Sequence, residues 1–312
     1  MAAYTDTNTH DTALIFEVKG NSLDDGPGIR TVIFFKGCPL DCVWCHNPES
    51  KSGRTELSFE KDACIMCDAC RHVCTAHALD RNNPYYIDRE TCTLCMKCVE
   101  ECPSGALSAV GRYWTIDELV AEVEKDIPFF RTSGGGVTLS GGEPTRSMNF
   151  IASFLKEVAS SKIHTLIETC GLFDLQHFLD SVYPWLNAIY FDIKLFDEDE
   201  HRHYCGTSNR SILENFAQLS DRCLKDGVEL LPRVPLVPGI TATEDNLRSI
   251  AGFLKKQGMH QVELLSYNPL WFDKCRKIGE KSSCEDTSIM RQWMPARQIE
   301  RCKAIFDGFD IR

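Results

Sequence analysis

"GCPLDCVWCHNPES" (37–50) puts three cysteines, Cys38, Cys42 and Cys45, into one short loop. The loop follows directly on IRTVIFFKG (29–37), an apolar run rich in the β-branched and aromatic residues of a buried strand. In parallel α/β folds, ligands bind at the C-terminal ends of the strands. A strand that runs into a cysteine loop therefore indicates both the fold class and the place of the site. Structural zinc, or a fully ligated iron–sulfur cubane, usually takes four protein ligands. C-x3-C-x2-C supplies three, enough to hold three irons of a cubane and leave the fourth without a protein ligand. A catalytic zinc with three protein ligands is the other reading, although such sites more often use histidine or carboxylate.

Outward from this loop the chain alternates. A strand, ALIFEV (13–18), precedes it. Downstream come a helix over 115–127 with a Thr115/Glu118 capping box, a strand VTLSGG (137–142), and a helix over 149–160. Then follow a strand IHTLIET (163–169), a helix over FDLQHFLDSVYPWL, and a strand AIYFDIKLF (188–196). The helix ILENFAQLSDRCLKDG ends at Gly227, and VELLPRVPLVPG (228–239) is a strand. Thr243 caps a helix through Lys256, and QVELLSYNPL (261–270) holds a last strand. Short apolar strands alternating with amphipathic helices predict a parallel sheet. About six βα units fall short of a closed eightfold barrel, so a partial, open TIM-like (β/α)6 barrel is expected.

Residues 62–104 differ in texture. CIMCDACRHVC (64–74) and CTLCMKCVEEC (92–102) repeat at an offset of 28, and each reads C-x2-C-x2-C-x3-C. Pro103 follows the second run, and NNPYYIDRE between them predicts a turn and a short strand. This is the bacterial ferredoxin spacing for two [4Fe–4S] clusters, in which the fourth cysteine of each run serves the other cluster. The expected sets are Cys64, Cys67, Cys70 and Cys102, and Cys92, Cys95, Cys98 and Cys74. Paired zinc sites are the alternative. The expected division is 1–61 and 105–312 for the barrel, with 62–104 as a small ferredoxin-like insert.

Composition bounds the function. The formal net charge is −11, which argues against a nucleic-acid-binding surface as the main business. No apolar run approaches the roughly 20 residues of a membrane helix. MAAYTDTNTHDT lacks the charged and apolar regions of a signal peptide, so the cytoplasm is the expected location. Of 17 cysteines, 11 fall between Cys38 and Cys102 at metal-site spacing, as in a reducing compartment. The other six, Cys170, Cys205, Cys223, Cys275, Cys284 and Cys302, are scattered and read as ordinary thiols.

The three-cysteine loop at the end of a first-unit strand resembles the radical S-adenosylmethionine (SAM) superfamily. DGPGIRTVIFFKGCPLDCVWCHNPE (25–49), SGGEP (140–144), ETCG (168–171), DIK (192–194), RVPLVPG (233–239) and ELLSYNP (263–269) are similar to a narrower group, the glycyl radical enzyme activating enzymes. The likeness spans nearly the whole chain, and its motifs occur in the group's order. The doubled cysteine insert is similar to that of members larger than the pyruvate formate-lyase activator.

The resemblance implies that SAM's amine and carboxylate occupy the open iron of the Cys38/Cys42/Cys45 cluster. It implies reductive cleavage of SAM to methionine and a 5′-deoxyadenosyl radical, which takes a hydrogen from one glycine of a partner enzyme. No residue is needed as acid or base, because hydrogen-atom transfer depends on placement. SAM contacts are implied at Trp44, Cys45, His46, Gly141, Gly142, Glu143, Asp192, Ile193, Lys194 and Asn268, the last where the smaller activator has histidine. Glu168, Thr169 and Asp192 match positions that hold a monovalent cation. Asp25 and Arg30 match positions near the partner's glycine loop. A flavodoxin or ferredoxin is the implied electron donor. The chain is expected to be a monomer with no nucleic-acid or membrane partner. Choline, isethionate, glycerol, hydroxyproline and hydroxyphenylacetate lyases all have activators of this general type, so the resemblance does not name the partner; specificity is expected on surface loops and near 271–295. Two other functions stay open at this point: a radical SAM enzyme that modifies a small molecule or RNA, and a ferredoxin-type electron carrier.

Overall fold

A computed structural model describes residues 11–282, 284 and 287–312. Residues 1–10, which carry most of the signal-peptide reading, lie outside them, as do 283, 285 and 286 within the 271–295 stretch. The strands are β1 (Thr12–Ser22), β2 (Arg30–Phe35), β3 (Glu56–Phe59), β4 (Leu107–Val110), β5 (Arg112–Thr115), β6 (Gly136–Gly141), β7 (His164–Thr169), β8 (Ala188–Asp192), β9 (Glu229–Leu236), β10 (Gln261–Ser266) and β11 (Asp310–Ile311). All but β3 and β4 lie in one sheet of order β11-β10-β9-β8-β7-β6-β2-β1-β5. Its centre, β2-β6-β7-β8-β9-β10, is parallel throughout. This is the expected six-unit parallel core. β1 and β5 add antiparallel strands at one edge, and β11 adds a short parallel one at the other.

The alternation along these strands separates two environments. Val137, Leu139, Ile167, Ile189, Phe191 and Val234 join the large apolar core, together with Phe150, Phe154 and Phe216 of the covering helices. The residues between them face the other way. Leu166, Ala188, Tyr190 and Leu231 form a separate small cluster. Ser140, Glu168, Asp192 and Arg233 continue that same face toward the strand ends. One period of two thus builds a hydrophobic shell and places the polar groups of the site inside it.

The helices match the periodic pattern except where proline or polarity intervenes. The helix expected over 115–127 forms with its capping box, but it ends at Glu124. A second helix, Ile127–Ser133, starts with Pro128 in its first turn, where a missing N–H costs nothing. The helix expected through 186 is Leu175–Ser181, and Pro184 opens a separate 3-10 turn. The strand expected over 188–196 stops at Asp192. The helix Glu198–Cys205 gave no apolar signal: its sequence is EDEHRHYC, and only His201 and Cys205 are buried. Asp197 caps it by accepting from the amides of Asp199 and Glu200.

The segment 62–104 hangs between β3 and β4, which pair antiparallel with each other. Where a short strand was expected near 83–90, only an isolated bridge joins Leu79 and Ile87. Arg89 ties the segment to the barrel by donating to the carbonyls of Leu57 (2.8 Å) and Lys277 (3.4 Å). Among the described residues no helix is long and apolar enough to cross a membrane.

Candidate functional site

The cysteine loop is pinned at both ends. The amides of Gly37 and Cys38 donate to the carbonyls of Ser50 (2.7 Å) and Lys51 (3.1 Å), closing the loop on itself. In its middle, Asp41 and Val43 donate to the carbonyls of Cys205 (2.9 Å) and Tyr204 (3.0 Å), which anchors Cys42 on the helix absent from the sequence reading. Underneath lies the glycine turn after β6. Gly142 donates to the Phe35 carbonyl and Glu143 to the Gly37 carbonyl, both at 2.9 Å. A methyl group on Gly142 would stand 2.4 Å from the Gly37 oxygen and 2.8 Å from that of Ser50. The glycines, expected to let backbone approach a ligand, are thus also required by the packing of this turn against the thiol loop.

The three thiols line a cavity of about 230 Å3 at the C-terminal ends of the parallel strands. Trp44, His46, Gly141, Gly142, Asp192 and Lys194 line it as expected. So do Glu168, Thr169 and, beyond the expected set, Ser140, Cys170 and Arg233. Glu143, Ile193 and Asn268 do not face it. Glu143 is wholly buried in the wall, where it accepts from Thr145 Oγ1 (2.7 Å), Thr169 Oγ1 (2.9 Å) and the Cys170 amide (2.7 Å). It fastens the glycine turn to the end of β7 and has little left for a ligand. Ile193 is buried, and its amide donates to the Arg233 carbonyl at 2.9 Å. Asn268 Oδ1 accepts from the Leu270 amide at 2.9 Å, which closes a local turn.

Charge in the cavity is organised around Arg233, a residue inside a quoted motif but absent from the expected site. Its Nε donates to Asp192 Oδ1 at 3.0 Å, and its Nη1 makes a very short contact with Glu168 Oε1. Ser140 Oγ donates to Glu168 Oε2 at 2.6 Å, and Lys194 Nζ donates to Asp192 Oδ2 at 3.0 Å. Burial alone would raise the Asp192 carboxyl, but Lys194 and Arg233 outweigh it and hold the group below its ordinary value. Glu168, Thr169 and Asp192 were expected to hold a monovalent cation. The guanidinium already bridges the two carboxylates, and Thr169 Oγ1 is spent on Glu143 and on the Gly171 amide.

The residues fit an iron-held zwitterionic nucleotide. Three thiols line one cavity together with one ammonium and a partly neutralised carboxylate. His46 Nε2 is buried with no partner, an open hydrogen-bonding position beside Trp44. Burial and the nearby Lys274 charge push the His46 imidazole down to about 4, so it faces the cavity neutral.

Asp25 and Arg30 sit at the other end of β2. Arg30 was expected near an incoming peptide, but it is wholly buried. Its guanidinium donates to Thr138 Oγ1 and the Val137 carbonyl (both 2.5 Å) and to the Pro27 carbonyl (3.1 Å). It braces β2 against β6 and is unavailable to a partner. Asp25 is half-buried and accepts from the Ser22 hydroxyl.

In the insert, Cys64, Cys67, Cys70 and Cys102 line one cavity of about 420 Å3, the crossed set that the repeat implies. Cys74, Cys92 and Cys98 of the second set pack into one small core with Leu57, Tyr86 and Leu107. Both repeats turn at matching places. Met66, Asp68, Leu94 and Met96, the residues flanking each middle cysteine, all have left-handed backbone with φ of 54–62°. Two pairs of non-glycine residues in this conformation, offset by 28, give both repeats the same local turn.

Comparison with known proteins agrees with this geometry. The profile of the Radical SAM superfamily matches residues 32–249. The trans-4-hydroxy-L-proline dehydratase activating enzyme of Clostridioides difficile is 38% identical over 299 residues, covering 95% of this chain and 96% of that protein. The isethionate sulfite-lyase activating enzyme of Nitratidesulfovibrio vulgaris is 38% identical over 306 residues, covering 96% and 97%. Among solved structures, Streptococcus suis SuiB bound to precursor peptide SuiA is alike in fold, with a TM-score of 0.50 at 12% identity over 90% of this chain and 48% of that one.

Proposed function

The chain belongs to the radical SAM superfamily and, within it, to the glycyl radical enzyme activating enzymes, and from that premise we propose how its own residues divide the work. Like its relatives, it uses SAM and a [4Fe–4S] cluster to generate a glycyl radical on a partner enzyme. The chemistry supplied by the bound cofactor pair is one-electron cleavage of a carbon–sulfur bond, giving methionine and the 5′-deoxyadenosyl radical that takes the glycine hydrogen.

Cys38, Cys42 and Cys45 would hold the [4Fe–4S] cluster. Lys194 and the backbone at Gly141–Gly142 orient the methionine end of SAM, and Trp44 with His46 Nε2 holds the nucleoside end. Asp192, kept ionised by Lys194 and Arg233, accepts hydrogen bonds from the ribose. Arg233 fixes Asp192 and Glu168 in one arrangement, so the site does not need a mobile cation to do so. Asp25 accepts backbone amides of the partner's glycine loop. The observation that carries the reading is the convergence of the three thiols, the glycine turn and the Lys194–Asp192–Arg233 chain on one cavity at the strand ends.

Cys64, Cys67, Cys70 and Cys102, and Cys92, Cys95, Cys98 and Cys74, would each hold one further [4Fe–4S] cluster, three in all with the open one, and such centres would supply electron transfer from a flavodoxin or ferredoxin. Chemical reduction of the holoenzyme with SAM is expected to give 5′-deoxyadenosine. Adding the hydroxyproline dehydratase or isethionate lyase partners of its relatives should yield a carbon-centred doublet by electron paramagnetic resonance. Nucleoside release with no doublet on any glycyl radical enzyme would favour a small-molecule or RNA substrate; no nucleoside at all would leave an electron carrier. For the relay, Cys95→Ala is expected to abolish turnover with a protein donor and to spare it with a chemical reductant. Equal turnover with the protein donor would reject the relay.

A further inference from the structure

The two cysteine runs of the insert repeat in sequence, but their surroundings do not. Tyr86 lies between the runs and is buried. Its Oη is 3.2 Å from Cys70 Sγ, on the wall of the cavity that Cys64, Cys67, Cys70 and Cys102 share. The residue equally placed before the first run is Ser58 on β3, so the repeat does not duplicate the phenol. Ser104 Oγ makes a longer contact with Cys102 Sγ of the same set, at 3.8 Å. In the second set the Ala78 amide donates to Cys74 Sγ at 3.4 Å, a backbone contact that does not depend on Tyr86.

Contacts that do not involve the sulfur hold this phenol in place. Tyr86 has left-handed backbone, with φ of 66°, which bulky residues seldom adopt. Two backbone bonds fix it there: its amide donates to the Asn83 carbonyl and its carbonyl accepts from the Asp80 amide, both at 2.9 Å. Its ring stacks on Phe59 of β3, with centroids 4.2 Å apart and planes at 21°. The turn between the runs and the strand that carries the insert thus present the hydroxyl to Cys70. The contact is buried, where a hydrogen bond is electrostatically stronger than in water.

A ligand thiolate carries no proton, so between these two atoms only the phenol can donate. Reduction adds negative charge that the ligand sulfurs share. A hydrogen bond donated to one of them therefore favours the reduced form and raises the potential. We propose that Tyr86 is a positioning residue of the insert, whose hydroxyl donates to the Cys70 sulfur and raises the reduction potential of the Cys64/Cys67/Cys70/Cys102 centre. The phenol acts on that centre alone, and so makes the two centres unequal although their cysteine spacing is the same. The inference rests on the four-thiolate reading of the insert above.

The test is a redox titration of the reconstituted holoenzyme with dithionite, followed by electron paramagnetic resonance. The signal that changes when SAM is added marks the barrel cluster. The signal lost or altered in Cys67→Ala, a substitution at an exposed ligand, marks the centre beside Tyr86. Tyr86→Phe keeps the ring and its stacking on Phe59 and removes only the donor. It is expected to move the midpoint of that one signal to a more negative value. Iron and sulfide contents and the midpoints of the other two signals should match the parent. An unmoved midpoint would overturn the proposal. So would an equal shift of both insert signals, which reports a general change in the insert. Loss of iron from Tyr86→Phe would overturn it too, since the hydroxyl would then be holding the centre and not tuning it. A parent protein that binds the SAM-responsive cluster alone would overturn the four-thiolate reading of the insert, and this proposal with it, and would leave the barrel site untouched.

Discussion

Cys42→Ala protein, reconstituted with iron and sulfide and reduced with dithionite, will release no 5′-deoxyadenosine from SAM above the background of protein-free controls. Its iron content will fall by the equivalent of one cluster. The reason lies in how the loop is held. Cys42 is buried, and its neighbours Asp41 and Val43 are bonded through their backbones to Cys205 and Tyr204. The side chain can be removed without releasing the loop, so the loss is chemical. Two thiolates remain where three irons need ligands. Cys70, Cys74, Cys92, Cys98 and Cys102 of the insert belong to a separate packed cluster around Leu57, Tyr86 and Leu107, and the visible absorption of the insert should persist. Full nucleoside yield from Cys42→Ala would mean that these three cysteines do not carry the reactive cluster, and the proposed division of roles would lose its starting point.

The fold was legible because its signal is periodic. Strands such as TLIET and AIYFD alternate between the helix-packed core and the barrel interior, and helices such as Glu244–Lys256 show an apolar stripe behind a threonine cap. The cluster cysteines were legible because their spacing is local. What escaped was either non-periodic or distant. Glu198–Cys205 has almost no apolar face, so periodicity does not reveal it; Asp197, the acidic first turn and Gly206 mark its ends, but nothing in the sequence places Cys205 beside Cys42. Arg233 lies 41 residues from Asp192 and 65 from Glu168, and only the sheet brings the three together. The motif containing Arg233 was visible, as were Glu168 and Asp192, but their pairing was not. Arg30 and Glu143 were misjudged for the same reason. A charged residue inside a motif looks available until the structure shows every donor or acceptor already taken.

Arg233→Met is expected to damage both stability and chemistry. Arg233 is 9% exposed, and its guanidinium is the bridge between Glu168 and Asp192. Methionine fills much of the same volume without charge. Glu168 would keep only the Ser140 hydroxyl and Asp192 only Lys194, leaving two carboxylates in a buried wall with a single cation. Breaking a buried ion pair by removing one partner costs about 3–5 kcal/mol. At roughly 2 °C per kcal/mol for a chain of this size, Tm should drop by on the order of 10 °C. Arg233→Lys separates the two roles. It restores the charge, so most of the Tm should return. A point ammonium cannot fork to both carboxylates, so Asp192 loses its fixed orientation and SAM cleavage stays impaired. Differential scanning fluorimetry and nucleoside release on the same preparations read the two effects independently. An Arg233→Met protein with parental Tm would show that the carboxylates find other partners, and the guanidinium could no longer be said to replace a cation in this site.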